Sequence, residues 1–531
     1  MEIGWMRGGS NGLLKGISVP TLAAIGKVKA IAHRARKEGF FTAWQHLAPA
    51  RANVPVLPDL RSSIRQRFVP SRYNARATGS DGRLILWNTL SGAVSVIPPE
   101  LRPMAVARLR RNGLAAPLDE AGEYLARHGY LVPHDVDELE KFRHRYEQDQ
   151  WRTDVLQLML LASEDCNFRC TYCYQKFKHG TMAPAVRQGV RALILARAPA
   201  LKELDLAWFG GEPLYGWEAV RELAPFCKDV ADRHGIRFSS NMTTNGYLLD
   251  EMRATQLLAW GCRSFQVTLD GLREEHDAKR VGRDGKGSYD VILQNLRALR
   301  SRKDDLKVTL RVNFDHANAP QLAPFLDVLS GDFAGDSRFE LAFRAVQKWG
   351  GPNDHQLATC GIGDRRKIRR ELERRAQAAG LYQEGGIDNV VQPGGQVCYA
   401  ARPYHFVIGA TGKVMKCTVA LDNLEANVVG HLNTDGSMQL NDEHMRQWVS
   451  PQFEGDPLCQ KCHVLPTCQG AACPLTYIAE GKRTCCDLRT NLNPEMQFTL
   501  VRIANSAPQT TASPTIGRGA PTRRDLVSLP A

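Results

Sequence analysis

The sequence predicts an α/β protein built on a parallel sheet, either an open doubly wound sheet or a partial barrel. A small N-terminal module precedes it and a loop-rich, cysteine-rich region follows it. Three observations lead there. From Val155 to about residue 345, short apolar runs alternate with helical patterns, the rhythm of right-handed βαβ units. The fourteen cysteines are unevenly spread, with three in the loop after the first apolar run and eight between residues 394 and 490. At 531 residues, the chain exceeds one ordinary core, so several domains are expected.

Taken in order, residues 1–81 form a basic, partly disordered leader. Thirteen Lys and Arg in residues 1–80 face only Glu2, Glu38 and Asp59, out of a whole-chain net charge of +13. Residues 23–37 have the pattern of a basic amphipathic helix, but no aromatic interleaving or nucleic-acid motif accompanies it, so a solvated leader is the reading. Residues 82–150 read as a separate winged-helix-like module. Runs 83–90 and 93–98 pair as a hairpin across Ser91 and Gly92; helical patterns follow at 99–111 and 118–128, then a short strand at 130–133 and a charged helix to Trp151. In the central region, 151–350, strands are expected at 155–163, 203–210, 236–243, 263–270, 307–314 and 338–345. Helices are expected near 183–198, 217–234, 250–260, 288–302 and 320–330. Residues 351–393 read as a bridging linker and 394–490 as a loop-rich domain with too little apolar sequence to fold without metal or cross-links. Residues 491–531 are a helix end and a tail, disordered from Ser506. A hydrophobic fraction of 43% and a charged fraction of 24% suit a soluble protein. No apolar run approaches the roughly 20 residues of a membrane span, and no signal peptide is evident, so a cytoplasmic protein is expected.

Cysteine carries the chemistry. Cys166, Cys170 and Cys173, spaced C-x3-C-x2-C, follow the first strand, at the carboxyl end where α/β folds gather function. In a reducing cytosol such clusters bind metal or do redox chemistry more often than they form disulfides. Three thiolates are one short of a closed tetrahedral site. His179 is at hand, but the spacing is not that of a zinc finger. An iron–sulfur cubane with one open iron makes better sense of three. Cys227 and Cys262 stand alone and read as buried structural thiols.

With Tyr172 before the last cysteine, this loop resembles the signature of radical S-adenosylmethionine (SAM) enzymes. That resemblance implies a partial (β/α)6 TIM-like barrel, a [4Fe–4S] cluster on Cys166, Cys170 and Cys173, and SAM chelated to its open iron. Further motifs fall at the ends of the second, third and fourth strands: Phe209 to Pro213 (FGGEP), Thr243 to Gly246 (TTNG) and Thr268 to Gly271 (TLDG), with Glu275 to Arg280 (EHDAKR) after the last. By resemblance the SAM pocket includes Tyr172, Gly210, Gly211, Glu212, Asn245, Thr268, Asp270 and Arg280. The glycine turn and Glu212 would meet the SAM amino group, Thr268 the ribose region and Arg280 the carboxylate.

The remaining cysteines resemble a SPASM domain, which implies two auxiliary [4Fe–4S] clusters. Cys398, Cys417 and Cys473 would ligate the first; Cys459, Cys462, Cys468 and one of Cys485 or Cys486 the second. Cys468 and Cys473 are separated by four residues where that family has three, and no obvious fourth ligand completes the first cluster, though Cys360 or the spare of Cys485 and Cys486 is available. A zinc ribbon over 459–486 is the competing reading. The family implies reductive SAM cleavage to a 5′-deoxyadenosyl radical, with a reductant such as flavodoxin or ferredoxin and a peptide or protein substrate. Two subclasses compete. A maturase of ribosomally made peptides, forming a thioether or carbon–carbon cross-link, is favoured, because sulfatase maturases carry an acid directly after the second SPASM cysteine and here Thr418 stands there. A metal-stabilised, non-catalytic binding protein is the distant third. No catalytic base is assigned, and no nucleic-acid partner is expected.

Overall fold

The computed structural model describes residues 66–79, 81–110, 113–383, 391–395, 397–470, 473–481 and the backbone of 527–528. The expected leader helix at 23–37, Cys485 and Cys486 lie outside the described residues.

The N-terminal module starts within the span expected as leader. Strands β1 (Arg67–Pro70) and β2 (Asn74–Thr78) precede the expected hairpin β3 (Leu84–Asn88) and β4 (Val94–Ile97). β2, β3 and β4 form one antiparallel sheet, while β1 pairs with β5 (Leu114–Ala115) and β6 (Leu131–Pro133) in another. Three helices complete it: α1 (Arg102–Arg108), α2 (Glu120–Arg127) and α3 (Glu138–Gln150). Asp119 caps α2 by accepting from Gly122 N at 2.9 Å, and Asp137 caps α3 by accepting from Leu139 N, also at 2.9 Å.

Six parallel strands make the central sheet in sequence order: β7 (Val155–Ser163), β8 (Glu203–Gly210), β9 (Arg237–Thr244), β10 (Cys262–Thr268), β11 (Lys307–Phe314) and β12 (Phe339–Ala345). They match the expected strands within a residue or two. Alternate residues such as Phe265, Val267, Val308, Leu310 and Leu341 pack under the helices. The opposite face carries Gln266, Thr268, Arg311, Asn313 and Arg344 by register. The covering helices are α4 (Pro184–Arg197), α5 (Trp217–His234), α6 (Glu251–Ala259), α7 (Arg273–Lys279), α8 (Tyr289–Ser301) and α9 (Leu322–Phe333). Cys227 and Cys262 are fully buried in this core.

Two features depart from expectation. The linker region holds a long helix, α10 (Ile362–Ala378), followed by β13 (Tyr382–Gln383), which adds parallel to β12. The cysteine-rich region also continues the same sheet. β14 (His405–Ile408) pairs parallel with β7, and β15 (Lys413–Met415), β16 (Val428–Leu432) and β17 (Met438–Leu440) follow antiparallel, giving one sheet of eleven strands. Its helix α11 (Asp442–Val449) buries Met445 and Trp448. These short strands extend the sheet outward from the edge of β7. Among the described residues, no helix is long and apolar enough to cross a membrane.

Candidate functional site

The site forms where the loops leave the carboxyl ends of β7 to β12. Immediately after β7, Cys166 is 6% exposed, and Cys170 and Cys173 are partly buried. Burial pushes the Cys166 thiol up to about 12, with Glu212 and then the two neighbouring thiols adding to the effect; burial and Cys170 push Cys173 up to about 11. These mutual effects place the three sulfurs in one low-dielectric pocket, an environment hostile to free thiolates and suited to thiolates neutralised by iron. Backbone Phe168 N donates to Cys166 Sγ at 3.3 Å. Among the described residues no three His, Cys, Asp or Glu side chains converge on a single metal ion. Three thiols arrayed around a cubane need not, because the cluster is a larger body than an ion.

The glycine turn after β8 packs against the cysteine loop. Gly210 has φ +127, and a Cβ there would stand 2.0 Å from Ser163 O; one on Gly211 would stand 2.5 Å from Asp165 O. Only glycines fit here, because the turn packs directly against the backbone at the root of the cysteine loop. Glu212 is fully buried and ties two turns together. Its carboxylate accepts from Leu214 N at 3.0 Å, Thr244 Oγ1 at 2.7 Å and Asn245 N at 2.7 Å. Burial raises its pKa, opposed by these donors. Asn245 in turn donates to Asn167 Oδ1 at 2.7 Å.

A second network joins the cysteine loop to β10 and β11. The Tyr172 hydroxyl donates to Asp270 Oδ2 and accepts from Arg280 at 2.7 Å and from Asn313 Nδ2 at 3.2 Å. Asp270, fully buried, also accepts from Asn313 N at 2.8 Å. Thr268 lies opposite Arg311 in the ladder and is buried. Arg280 packs its guanidinium over Phe168, 5.6 Å from the ring centroid. Burial works against its charge, but Tyr172, Cys170 and Asp270 hold its pKa above the usual. Its Nε is buried without a partner among the described residues, the mark of a group shaped for an anionic ligand. Behind it, His276 is fully buried and held neutral, its pKa pushed down to about 2 by burial and by Arg280.

In the C-terminal region, Cys398, Cys417 and Cys473 come together. Burial pushes Cys398 up to about 11, and Cys417 and Cys473 add to it; Cys473 likewise bears on Cys417. Cys459 and Cys462 lie together in a separate cluster against the N-terminal module, and Cys468 ends the next helical turn. Cys360 is buried, and its charged neighbours are Asp315, Asp364 and Arg365.

The sequence reading missed several residues. Asn427 is fully buried and clamps the Cys417 loop, accepting from Cys417 N at 2.8 Å and donating to Cys417 O at 2.9 Å and Ala420 O at 3.0 Å. Lys416 is fully buried, pushed down to about 7 by burial, and donates to His405 O at 2.6 Å. Tyr399 Oη lies 2.7 Å from Thr418 Oγ1. The loop after β12 straps across the cysteine loop, since Asn353 Nδ2 donates to Thr171 O at 3.2 Å and Asn423 Nδ2 to Trp349 O at 2.7 Å. None of these partners is near in sequence, so no local spacing announces them.

A cysteine-type anaerobic sulfatase-maturating enzyme of Clostridium novyi (strain NT) is 30% identical over 162 residues, 29% of this chain and 42% of that one. A serine-type anaerobic sulfatase-maturating enzyme of Klebsiella pneumoniae is 23% identical over 348 residues, 62% of this chain and 84% of that one. This chain therefore spans less than half of the first relative and most of the second. Among solved structures, native anSMEcpe with bound AdoMet and Cp18Cys peptide superposes with a TM-score of 0.50 at 19% identity, covering 66% of this chain and 99% of that one, a likeness of fold. The model of the radical SAM superfamily matches residues 160–327, the span from β7 through the cysteine loop to α9. That match falls on the strands that carry the three thiols, so residues 160–327 form a radical SAM domain, a kind of domain that holds a [4Fe–4S] cluster and SAM.

Proposed function

We propose that this enzyme is a maturase of ribosomally made precursor peptides that closes a thioether or carbon–carbon cross-link. Cys166, Cys170 and Cys173 would hold the SAM-binding cluster. Cys398, Cys417 and Cys473 would hold one auxiliary cluster, and Cys459, Cys462 and Cys468, with Cys485 or Cys486, the other. A cluster held there, with a flavodoxin- or ferredoxin-like reductant, would supply the reductive cleavage of SAM that generates a hydrogen-abstracting radical. The chain's own groups prepare that pocket. Arg280 places a fixed positive charge beside Cys170, suited to the SAM carboxylate. Tyr172 locks that guanidinium to Asp270, and Glu212 holds the two turns that line the pocket.

One observation carries the choice of reaction. The position after Cys417 holds Thr418, whose hydroxyl bonds to Tyr399 at 2.7 Å. Burial pushes the Tyr399 pKa up, so the pair stays protonated and takes up a proton far less readily than a carboxylate would. A cross-link between two side chains does not need a carboxylate at that point. The module at 66–150 supports the same reading, since its short antiparallel sheet and helices suit a peptide held by strand addition. The second reading, conversion of Cys or Ser to formylglycine on a sulfatase, is favoured by the two maturase relatives.

Anaerobic incubation with a co-encoded short peptide, SAM and reductant separates them. Mass spectrometry should show loss of two hydrogens per link. Formylglycine on a sulfatase peptide, with no change in the short peptide, hands the function to the second reading.

A further inference from the structure

The face of the central sheet turned away from the helices is polar and open. Phe265, Val267, Val308 and Leu310 lie buried under the helices, whereas Thr243, Gln266, Thr309, Arg311 and Arg344 on the other face are partly exposed. A closed (β/α) barrel fills that space with branched apolar side chains. Here it is a lumen that solvent reaches. Among the described residues, Arg311 is a cation in this lumen without a paired anion. It stands opposite Thr268 and Ala342 in the ladder, one layer below the pair formed by Asn313 and Arg344. Its Nε donates to Asn313 Oδ1 at 2.9 Å, and Asn313 Nδ2 reaches the Tyr172 hydroxyl of the cysteine loop at 3.2 Å. That bond holds one edge of the guanidinium. Its two amino groups have no hydrogen-bond partner among the described residues, and neither is enclosed, so both meet the open lumen. The carboxylates nearby are committed elsewhere. Asp270 accepts from Tyr172 and from Asn313 N, and Glu340, diagonal to Arg311 on β12, pairs with Lys307 at 2.8 Å. Burial draws the Arg311 pKa below its usual value; Tyr172 opposes this, and the positive charge of Arg344 adds to it. The site therefore calls for an anion that the chain itself does not supply.

We propose that Arg311 is a substrate-binding residue, and that its two free amino groups hold a carboxylate of the substrate in the lumen. A planar fork with two free donors matches the two oxygens of a carboxylate. Few polar groups in a concave site suffice to fix a ligand's orientation. Arg280 already stands where the SAM carboxylate is expected, so the partner of Arg311 is a second anion. Its place beside Thr268 and below Asn313 sets that anion next to the SAM pocket, and a substrate without one leaves a half-buried cation unpaired. That the carboxylate belongs to a peptide, as an acidic side chain or a chain end, rests on the maturase reading. The open guanidinium does not.

The test uses the full-length chain, reconstituted anaerobically and saturated with SAM, without reductant. Two probes are titrated by ligand-observed NMR: N-acetyl-L-glutamate N-methylamide, whose only charge is the side-chain carboxylate, and its neutral glutamine counterpart. Wild type should bind the glutamate probe about tenfold more tightly than the glutamine probe, the scale of one charge-assisted pair. Arg311→Gln and Arg311→Met should each bring the two affinities within about twofold of one another. The two variants differ in polarity, so a folding defect in one, seen as lost iron, leaves the other to decide. Equal affinity of both probes for wild type would overturn the proposal. So would a preference for the glutamate probe that survives in an iron-loaded variant. A variant that keeps its iron but binds SAM about tenfold more weakly would also overturn it, by placing Arg311 in the SAM pocket instead. Because no turnover is measured, the carboxylate site stands or falls separately from the choice between cross-linking and formylglycine formation.

Discussion

At the scale of single residues, the site depends on side chains that serve two partners at once. The Tyr172 hydroxyl lies between Asp270, Arg280 and Asn313. Tyr172→Phe keeps the ring and removes only that bridge, leaving a buried guanidinium less well held. A hydrogen bond to a charged group is worth about 1.5–3 kcal/mol, so SAM affinity by equilibrium dialysis should fall about tenfold or more, with iron content unchanged. Iron lost with SAM affinity intact would show that Tyr172 supports the cluster loop instead. Asn427 is the counterpart in the C-terminal region, where one amide satisfies the backbone on both sides of Cys417. Asn427→Ala strands several buried backbone groups at about 1–3 kcal/mol each. The expected result after anaerobic reconstitution is iron lowered by about one cluster in three, with Cys166, Cys170 and Cys173 still loaded; full iron content would count against the role given to Asn427. The thiols and the motif residues could be read directly because each set is local in the chain. Asn427 and Asn313 could not, because an asparagine acquires such a role only from partners that the fold brings to it.

At the scale of elements, the strap after β12 is the most sensitive part. A Cβ on Gly351 would stand 2.7 Å from Cys173 O and 2.9 Å from Tyr174 Cα, both backbone atoms that cannot swing aside. Gly351→Val should therefore shift the cysteine loop and abolish SAM cleavage, measured as 5′-deoxyadenosine, while far-ultraviolet circular dichroism stays that of wild type. Cleavage at the wild-type rate would mean the strap is free to lift. The six central strands were legible because a parallel strand covered on both faces reads as a near-continuous apolar run. α10 was not, for the opposite reason. Of its seventeen residues only Leu372 and Ala376 are buried, so its arginine-rich sequence shows almost no apolar stripe. The strands β14 to β17 were hidden by their brevity, three to five residues each, and by turn residues between them. Their existence depends on a ready edge at β7, which no local pattern in 394–440 records.

At the scale of the whole molecule, the N-terminal module and the last cysteine loop share a core. Tyr73, Phe142 and Tyr146 of the module pack with Phe453, Cys459 and Leu465, and the ring of Phe453 stands 5.1 Å from Phe142 and 5.0 Å from Tyr146. The Thr89 hydroxyl donates to His463 O, and the Trp87 indole to Val391 O at 3.0 Å. Deleting the module would therefore strip the loop bearing Cys459 and Cys462 as well as any peptide-binding edge. Phe453→Ala is the cleaner probe. Losing a buried Phe costs about 3–5 kcal/mol, and amide exchange should quicken together in 138–150 and 457–468. Faster exchange in only one of the two segments would show that they are not coupled. The single ladder from β13 to β17 has a further consequence, for the order in which the protein is made. Gln157 and His405 pair across the β7–β14 seam although the ribosome delivers them far apart in time. Because chains fold as they emerge, at about 5–20 residues per second, β7 to β12 can assemble while the outer edge of β7 is still bare. Cys166, Cys170 and Cys173 thus emerge on strands able to fold before β14 arrives, and the C-terminal cysteines take their places only on a wall already standing.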